Sequence, residues 1–303
     1  MLWVGTLAVL RLAGHFTDPV LSSAQIHRIV GEPARMTTMR QQASLRVVTW
    51  NIEQGLRFGE IAEHLRRMEP DIVLLQEADI ACRRSGNRNV PQDLAQALDM
   101  NWVAAGEFQE IGESSSGIPA LTTQAILSRY PIVSASTIRF SSQTVLRWTL
   151  SPVQPRRGGR IALKAWTAGV QIYNAHAESG GNEALRTRQM QQILDDYSSS
   201  EAEPGPAVIA GDFNNIPAAS SPMFRALGES GFHNALKDGP ARTSTGNRHP
   251  IDWIFVSGVA AGGAVVDTGD ASDHFAVVAD LTPTGPQHGA RERSLRTATM
   301  QTP

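Results

Sequence analysis

The sequence predicts an α/β domain spanning residues 44–282. Three observations predict it. Short apolar runs rich in β-branched residues recur between stretches of helical periodicity. The first two runs bracket a helix, a β-α-β start that calls for a parallel strand pair. No linker divides residues 44–282, and 41% apolar residues in a chain of 303 are ample for one large core.

Taken in order, Leu45–Asn51 (LRVVTWN) reads as a strand that ends on a polar residue. Phe58–Met68 places Ile61, Leu65 and Met68 on one helical face and stops before Pro70. Asp71–Gln76 (DIVLLQ) is a buried strand followed by Glu77, and Ala81–Val90 is a basic, glycine-containing loop. Pro91 suits the first turn of a short helix running through Leu98. Residues 101–106, 124–128 and 132–140 read as strands, and Ser141–Arg157 as a long surface loop able to shape a cleft. Residues 159–166 and 170–174 form a hairpin whose second strand runs into His176. Asn182 caps a helix with a Met190, Ile193, Leu194 and Tyr197 stripe. Residues 206–215, a helix near Pro222–Leu227, and the strands Ile251–Ser257 and Phe275–Asp280 complete the domain.

Residues 1–43 read as a poorly ordered N-terminal extension, with Met36 and Met39 as candidate translation starts, and residues 283–303 as a disordered tail. Met1–Leu10 is apolar but lacks a basic leader, and Arg11 interrupts it. Cytoplasmic location is the expectation, with export the alternative if that stretch is a signal. A formal charge of -2 excludes a globally basic nucleic-acid binder, though not a local basic cleft. The single cysteine, Cys82, excludes an intramolecular disulfide.

The chemistry lies at the predicted strand ends, which carry Asn51, Glu77, His176, Asp212, Asn214, Asp252, Asp273 and His274. Solvent-facing polar residues would instead alternate along the strands. In Val208–Asn215 an apolar run ends at Gly211, then presents Asp212 and Asn214; if the chain stays extended, both share a face. Glu77 is a hard oxygen donor suited to Mg²⁺, with Asn51 or Asp273 nearby, and no spacing fits structural zinc. Two histidines and a carboxylate base around a hard metal point to attack of water on a phosphate ester. Asp212 orients or deprotonates the water, His176 and Asn214 hold phosphate oxygens, His274 donates a hydrogen bond or proton, and Asp252 fixes the His274 tautomer. Each has a structural alternative: an Asx turn at Asp212–Asn214, a strand cap at Asp273–His274, a buried hydrogen bond for Asp252. Arg83, Arg84 and Arg88, with Arg129 and Arg160, offer contacts to a phosphate or else a solvated surface; Arg84, Arg88 and Arg160 are the candidate substrate contacts.

Thr49-Trp50-Asn51-Ile52, Leu75-Gln76-Glu77, Asn174-Ala175-His176, Gly211-Asp212-Phe213-Asn214, Ile251-Asp252-Trp253-Ile254-Phe255 and Ser272-Asp273-His274 follow in that order. Together they resemble the endonuclease/exonuclease/phosphatase superfamily, the deoxyribonuclease-I-like fold, over residues 45–281. The resemblance implies a four-layer α-β-β-α sandwich of two packed mixed sheets flanked by helices, and Mg²⁺- or Mn²⁺-dependent phosphoester hydrolysis. By position it implies Glu77 as the main metal ligand, Asp212 in the base region, Asn51 and Asn214 as metal and phosphate positioners, Asp252 as partner of His274, and Asp273 as a second metal or orienting residue. His176 is similar to the deoxyribonuclease, sphingomyelinase and inositol-phosphatase branches rather than to abasic-site endonucleases. Asn-Ala-His-Ala-Glu departs there from the commoner Thr-His-Leu, and Glu107 is a candidate partner for His176 from chain order alone. The expectation is a monomer acting on a phosphate ester, with nucleic acid, phospholipid and inositol or sugar phosphate all open. A catalytically silent binding protein on the same fold is the alternative from another class.

Overall fold

Strand formation in this chain follows two-sided burial. The computed structural model describes residues 18–32, 44–115, 117–144, 155–199, 205–215, 221–236 and 242–283. Strand β2 (Leu45–Gln54) sends Val47 inward between two sheets, while Val48 and Trp50 point to the opposite, helix-covered face. Strand β3 (Ile72–Ile80) repeats this with Ile72 and Leu74 inside and Val73 and Leu75 outside. Both read as continuous apolar runs because each face is covered.

Between them, helix α2 (Phe58–Met68) lays Ile61, Leu65 and Met68 on that outer face and ends in a left-handed Glu69 before Pro70. Helix α3 (Val90–Leu98), capped by Asn89, adds Leu94 and Leu98. The first sheet runs β1 (Ile29–Glu32), β4 (Asn101–Glu110), β5 (Leu121–Ser128), β3, β2, β14 (Ala276–Pro283), β13 (Val259–Val266), with β7 (Arg156–Gly158) also on β4. β2 and β3 are its parallel pair.

The second sheet runs β11 (His233–Asn234), β12 (Asp252–Ser257), β10 (Ala207–Asp212), β9 (Val170–His176), β8 (Ile161–Thr167), β6 (Ile132–Arg139). β9 and β10 are parallel and their neighbours antiparallel, so both sheets are mixed. Helix α4 (Glu183–Ser198), capped by Asn182, buries the expected Met190, Ile193, Leu194 and Tyr197, and α5 (Pro222–Glu229) packs beside it. The predicted α/β sandwich is the observed fold.

Two expectations need correction, and one strand was not expected. Residues 18–32 are not a poorly ordered extension: a short helix α1 (Ser23–Ile26) and β1 complete the edge of the first sheet on β4. The His27 ring bonds the Gly106 carbonyl at 2.8 Å, and Asp18 accepts from the Gly112 N–H at 2.7 Å, so polar contacts hold a segment with little apolar periodicity. Arg156–Gly158 is strand rather than loop, paired with Phe108–Glu110, while residues 145–154 lie outside the described residues. β13 escapes prediction because Gly262-Gly263-Ala264 has low strand propensity; β14 imposes the extended form on it. The readings of residues 1–17, 33–43 and 284–303, including Met36 and Met39, also lie outside the described residues.

Candidate active site

Three strand ends of the second sheet align their polar residues. Asp212 is the register partner of His176 across the parallel β9–β10 ladder and of Asp252 across the antiparallel β10–β12 ladder. Opposed residues on neighbouring strands share a face, so the three side chains form a row. Gly211 permits it: at φ +143°, a β-carbon there would lie 1.8 Å from the Ala175 carbonyl oxygen. The strand stops at Asp212, so the extended geometry that would align Asn214 with it does not persist. Asn214 takes φ +48°, its backbone N–H donates to Asp212 Oδ1 at 2.9 Å, and its side-chain amide donates to the Ala177 carbonyl at 3.2 Å. This Asx-type turn occupies Oδ1 and leaves Oδ2 for the site.

The first sheet contributes where its register breaks. Irregularities fall between Asn51 and Gln54, between Leu75 and Ala78, and between Gly106 and Phe108. Such bulges re-aim side chains, here Glu77 and Glu107. Glu77 has φ +53° and accepts from the Gln54 amide; Glu107 is wholly buried. Asn51 Nδ2 bridges the two sheets to Asp212 Oδ2 at 3.3 Å. That oxygen also lies 3.4 Å from His176 Nε2 and 3.8 Å from His274 Nε2. Each imidazole has its own carboxylate behind it: His274 Nδ1 is 2.9 Å from Asp252 Oδ2, and His176 Nδ1 is 3.5 Å from Glu107 Oε2. The expected Glu107–His176 proximity is observed.

Charge is sharply arranged. Burial alone would raise Glu107, but Arg160, His176 and the Gln124 amide outweigh it and hold the carboxyl at about 2. Burial would lower His274, yet Asp252 and then Asp212 push the imidazole up to about 10. Burial, with Asp212, raises Asp252 as well, but less, so the pair's proton rests on His274. Glu53, which the sequence reading passes over, is raised by burial and then by Asp273, with Glu77 adding to it. Its own N–H donates to Asn51 Oδ1 at 3.2 Å.

Those carboxylates test the fit to a metal. Glu53 feels the negative charge of Asp273 and Glu77 and donates its N–H to the Asn51 side-chain oxygen, so the donor atoms at this end are oxygens, the kind a hard divalent cation takes. Asp212, Asp252 and His274 also bring potential ligand atoms within 4.8 Å of one another. There the Asp252 oxygens are engaged by His274 and Thr243, and a cation would have to break a buried ion pair.

The arginines divide. Arg84 turns inward, its Nε 2.7 Å and Nη2 2.8 Å from the two Asp79 oxygens, with Thr122 also accepting. Its Nε and Nη2 donors are engaged within the protein, so that edge of the guanidinium is not offered to a substrate. Arg160 is also buried and pairs with Glu107 at 3.1 Å, so it supports that carboxylate rather than offering an exposed cation. Arg88 alone of the three is half-exposed, lying 4.7 Å above the Phe58 ring and pairing with Asp93 at 3.3 Å.

Two mixed sheets packed face to face, with polar residues converging at their strand ends, define the deoxyribonuclease-I-like class of fold. The chain belongs to the endonuclease/exonuclease/phosphatase family, whose model matches residues 48–274 and whose members hydrolyse phosphate esters. It is similar to a UPF0294 protein of Yersinia pseudotuberculosis, 25% identical over 79% of this chain and 84% of that one. Among solved structures it resembles the human Nocturnin catalytic domain with bound sulfate, at TM-score 0.60 and 19% identity, over 85% of this chain and 98% of that one. It also resembles the mannosyl-6-phosphatase of Bacteroides thetaiotaomicron, at TM-score 0.56 and 18% identity, over 78% and 99% of the two chains. Among the described residues no helix is long and apolar enough to cross a membrane.

Proposed function

We propose that this chain is a divalent-metal-dependent phosphodiesterase acting by direct attack of water. The observation that carries the reading is the convergence on Asp212 Oδ2 of Asn51 Nδ2, His176 Nε2 and His274 Nε2, at 3.3, 3.4 and 3.8 Å. A carboxylate so placed accepts a proton from water while two imidazoles beside it donate to the phosphoryl oxygens. Asp212 has Oδ1 fixed by the Asn214 N–H, so Oδ2, which Asn51 also meets, is the oxygen that faces the nucleophile. His274, held protonated by Asp252, donates from Nε2; His176, backed by Glu107 and Arg160, donates from its own Nε2. Asn51 keeps Asp212 oriented across the sheet junction.

Glu77, Asp273 and Glu53, with the Asn51 side-chain oxygen, would hold Mg²⁺ or Mn²⁺, which would supply charge neutralisation for the phosphate and its leaving oxygen. The test is a substrate panel on chelator-stripped protein with each metal added back. It spans single- and double-stranded DNA, RNA, sphingomyelin, phosphoinositides, sugar phosphates and bis(p-nitrophenyl) phosphate. Hydrolysis that returns with Mg²⁺ or Mn²⁺ supports the reading and identifies the substrate class. Metal-independent turnover, or none across the panel, contradicts it and favours a silent binder on the same fold.

A further inference from the structure

Thr243 stands behind the Asp252–His274 pair and is wholly buried. Its Oγ1 accepts from two backbone N–H groups, Ile251 at 2.9 Å and Asp252 at 3.0 Å. A threonine hydroxyl has two accepting positions and one hydrogen. With both accepting positions filled, the hydrogen has one direction left, toward Asp252 Oδ2 at 2.6 Å. That same oxygen receives His274 Nδ1 at 2.9 Å. The backbone repeats the link, since the Thr243 carbonyl accepts from the Phe275 N–H at 2.8 Å, one residue beyond His274. Ser244 bridges His274, and the Thr245 N–H bonds the Asp273 carbonyl at 2.8 Å.

We infer that Thr243 is a positioning residue for hydrolysis: its hydroxyl, forced to donate, holds Asp252 as an acceptor-only carboxylate aimed at His274 Nδ1, so that Nε2 faces Asp212. An Asp252 oxygen that receives two donors cannot itself carry a hydrogen without colliding with one of them. The imidazole therefore keeps its Nδ1 hydrogen, and its ring plane is set by a carboxylate that cannot rotate. The glycine-containing loop around Thr243, which carries no periodic signal, gains its role through this one hydroxyl.

The inference rests on reading Asp252–His274 as part of the catalytic site, and its test reads the hydroxyl itself. In the unaltered protein with selectively labelled threonine, the Thr243 hydroxyl hydrogen should exchange slowly and give its own NMR resonance. A resonance averaged with water would overturn the proposal. With ¹⁵N-histidine, Thr243→Val should shift or lose the downfield His274 Nδ1–H signal, and Thr243→Ser should keep it. Where substrate is in hand, Thr243→Val should lower kcat by on the order of tenfold with KM within about twofold, and Thr243→Ser should restore it. An unchanged His274 signal and kcat in a folded Thr243→Val protein would overturn the inference. If valine prevents folding by stranding two N–H groups, the hydroxyl measurement on the unaltered protein decides. Absence of any hydrolysis by the unaltered protein would reject the functional reading, while the NMR signals would still decide the role of the hydroxyl.

Discussion

Asp212 and Asp252 face each other as register partners across β10 and β12, yet the two carboxylates have different surroundings. Asp252 is held by Thr243 and His274, both oxygens engaged. Asp212 has one oxygen tied to a backbone N–H and the other turned toward Asn51, His176 and His274. Two identical side chains one strand apart thus differ in what binds them, which is the basis for proposing one as an orienting group and the other as a proton acceptor.

Glu107 makes acid stability a readout of the site. Its carboxyl is held at about 2, below its ordinary 4.5, because Arg160 and His176 favour the charged form. A lowered carboxylate stabilises the fold fully above pH 4.5, and that stabilisation is lost as pH falls toward 2. Its size is roughly 3 kcal/mol. Glu107→Gln should lower Tm at pH 7 and flatten the fall of Tm between pH 4.5 and about 2, as followed by thermal melts across pH. A melt profile parallel to the unaltered protein's would contradict this role.

Gly211→Ala tests the close approach of β9 and β10. The added carbon meets the Ala175 carbonyl oxygen at a φ that side chains rarely adopt. The expected loss is on the order of 3 kcal/mol or more, read as a fall in denaturation midpoint. Alanine tolerated without loss would mean that the strand junction is less tight than drawn.

Arg84 and Arg88 should separate cleanly. Arg84→Met strands the fully buried Asp79 and should cost about 3 kcal/mol or more in stability. Arg88→Ala removes a half-exposed pair, should change stability by less than about 1 kcal/mol, and should raise KM if Arg88 contacts phosphate. Denaturant titration and steady-state kinetics on both variants distinguish the roles.

The site was legible where chemistry coincides with the end of an apolar run. Asn51, Glu77, His176 and Asp212 each close such a run, and Asp252 opens one, so period-2 burial brings them to one edge. Glu53 was not legible, because it lies past the point where β2 leaves regular register. The Arg84 ion pair was not legible because a run of arginines looks solvated, and only the tertiary fold places Asp79 and Thr122 around its guanidinium. Asn214 depended on whether the strand continued, and the left-handed turn after Phe213 decided against it. β1 is four residues long and β13 is rich in glycine and alanine, so their strand form comes from neighbours rather than from their own sequence.

Metal affinity should follow Glu77. Glu77→Gln keeps shape and removes charge, and should raise the Mg²⁺ concentration for half-maximal hydrolysis by on the order of tenfold or more. Metal titration of activity checks this, and an unchanged midpoint would move the cation away from the β3 end.

The most direct measurement is kcat/KM for bis(p-nitrophenyl) phosphate by the unaltered protein and by Asp212→Asn at saturating Mg²⁺ or Mn²⁺. The amide preserves size and removes the proton acceptor, so kcat/KM should fall by at least about 100-fold with the fold intact. Equal turnover by the two proteins would contradict the assignment of Asp212 as the group that activates water.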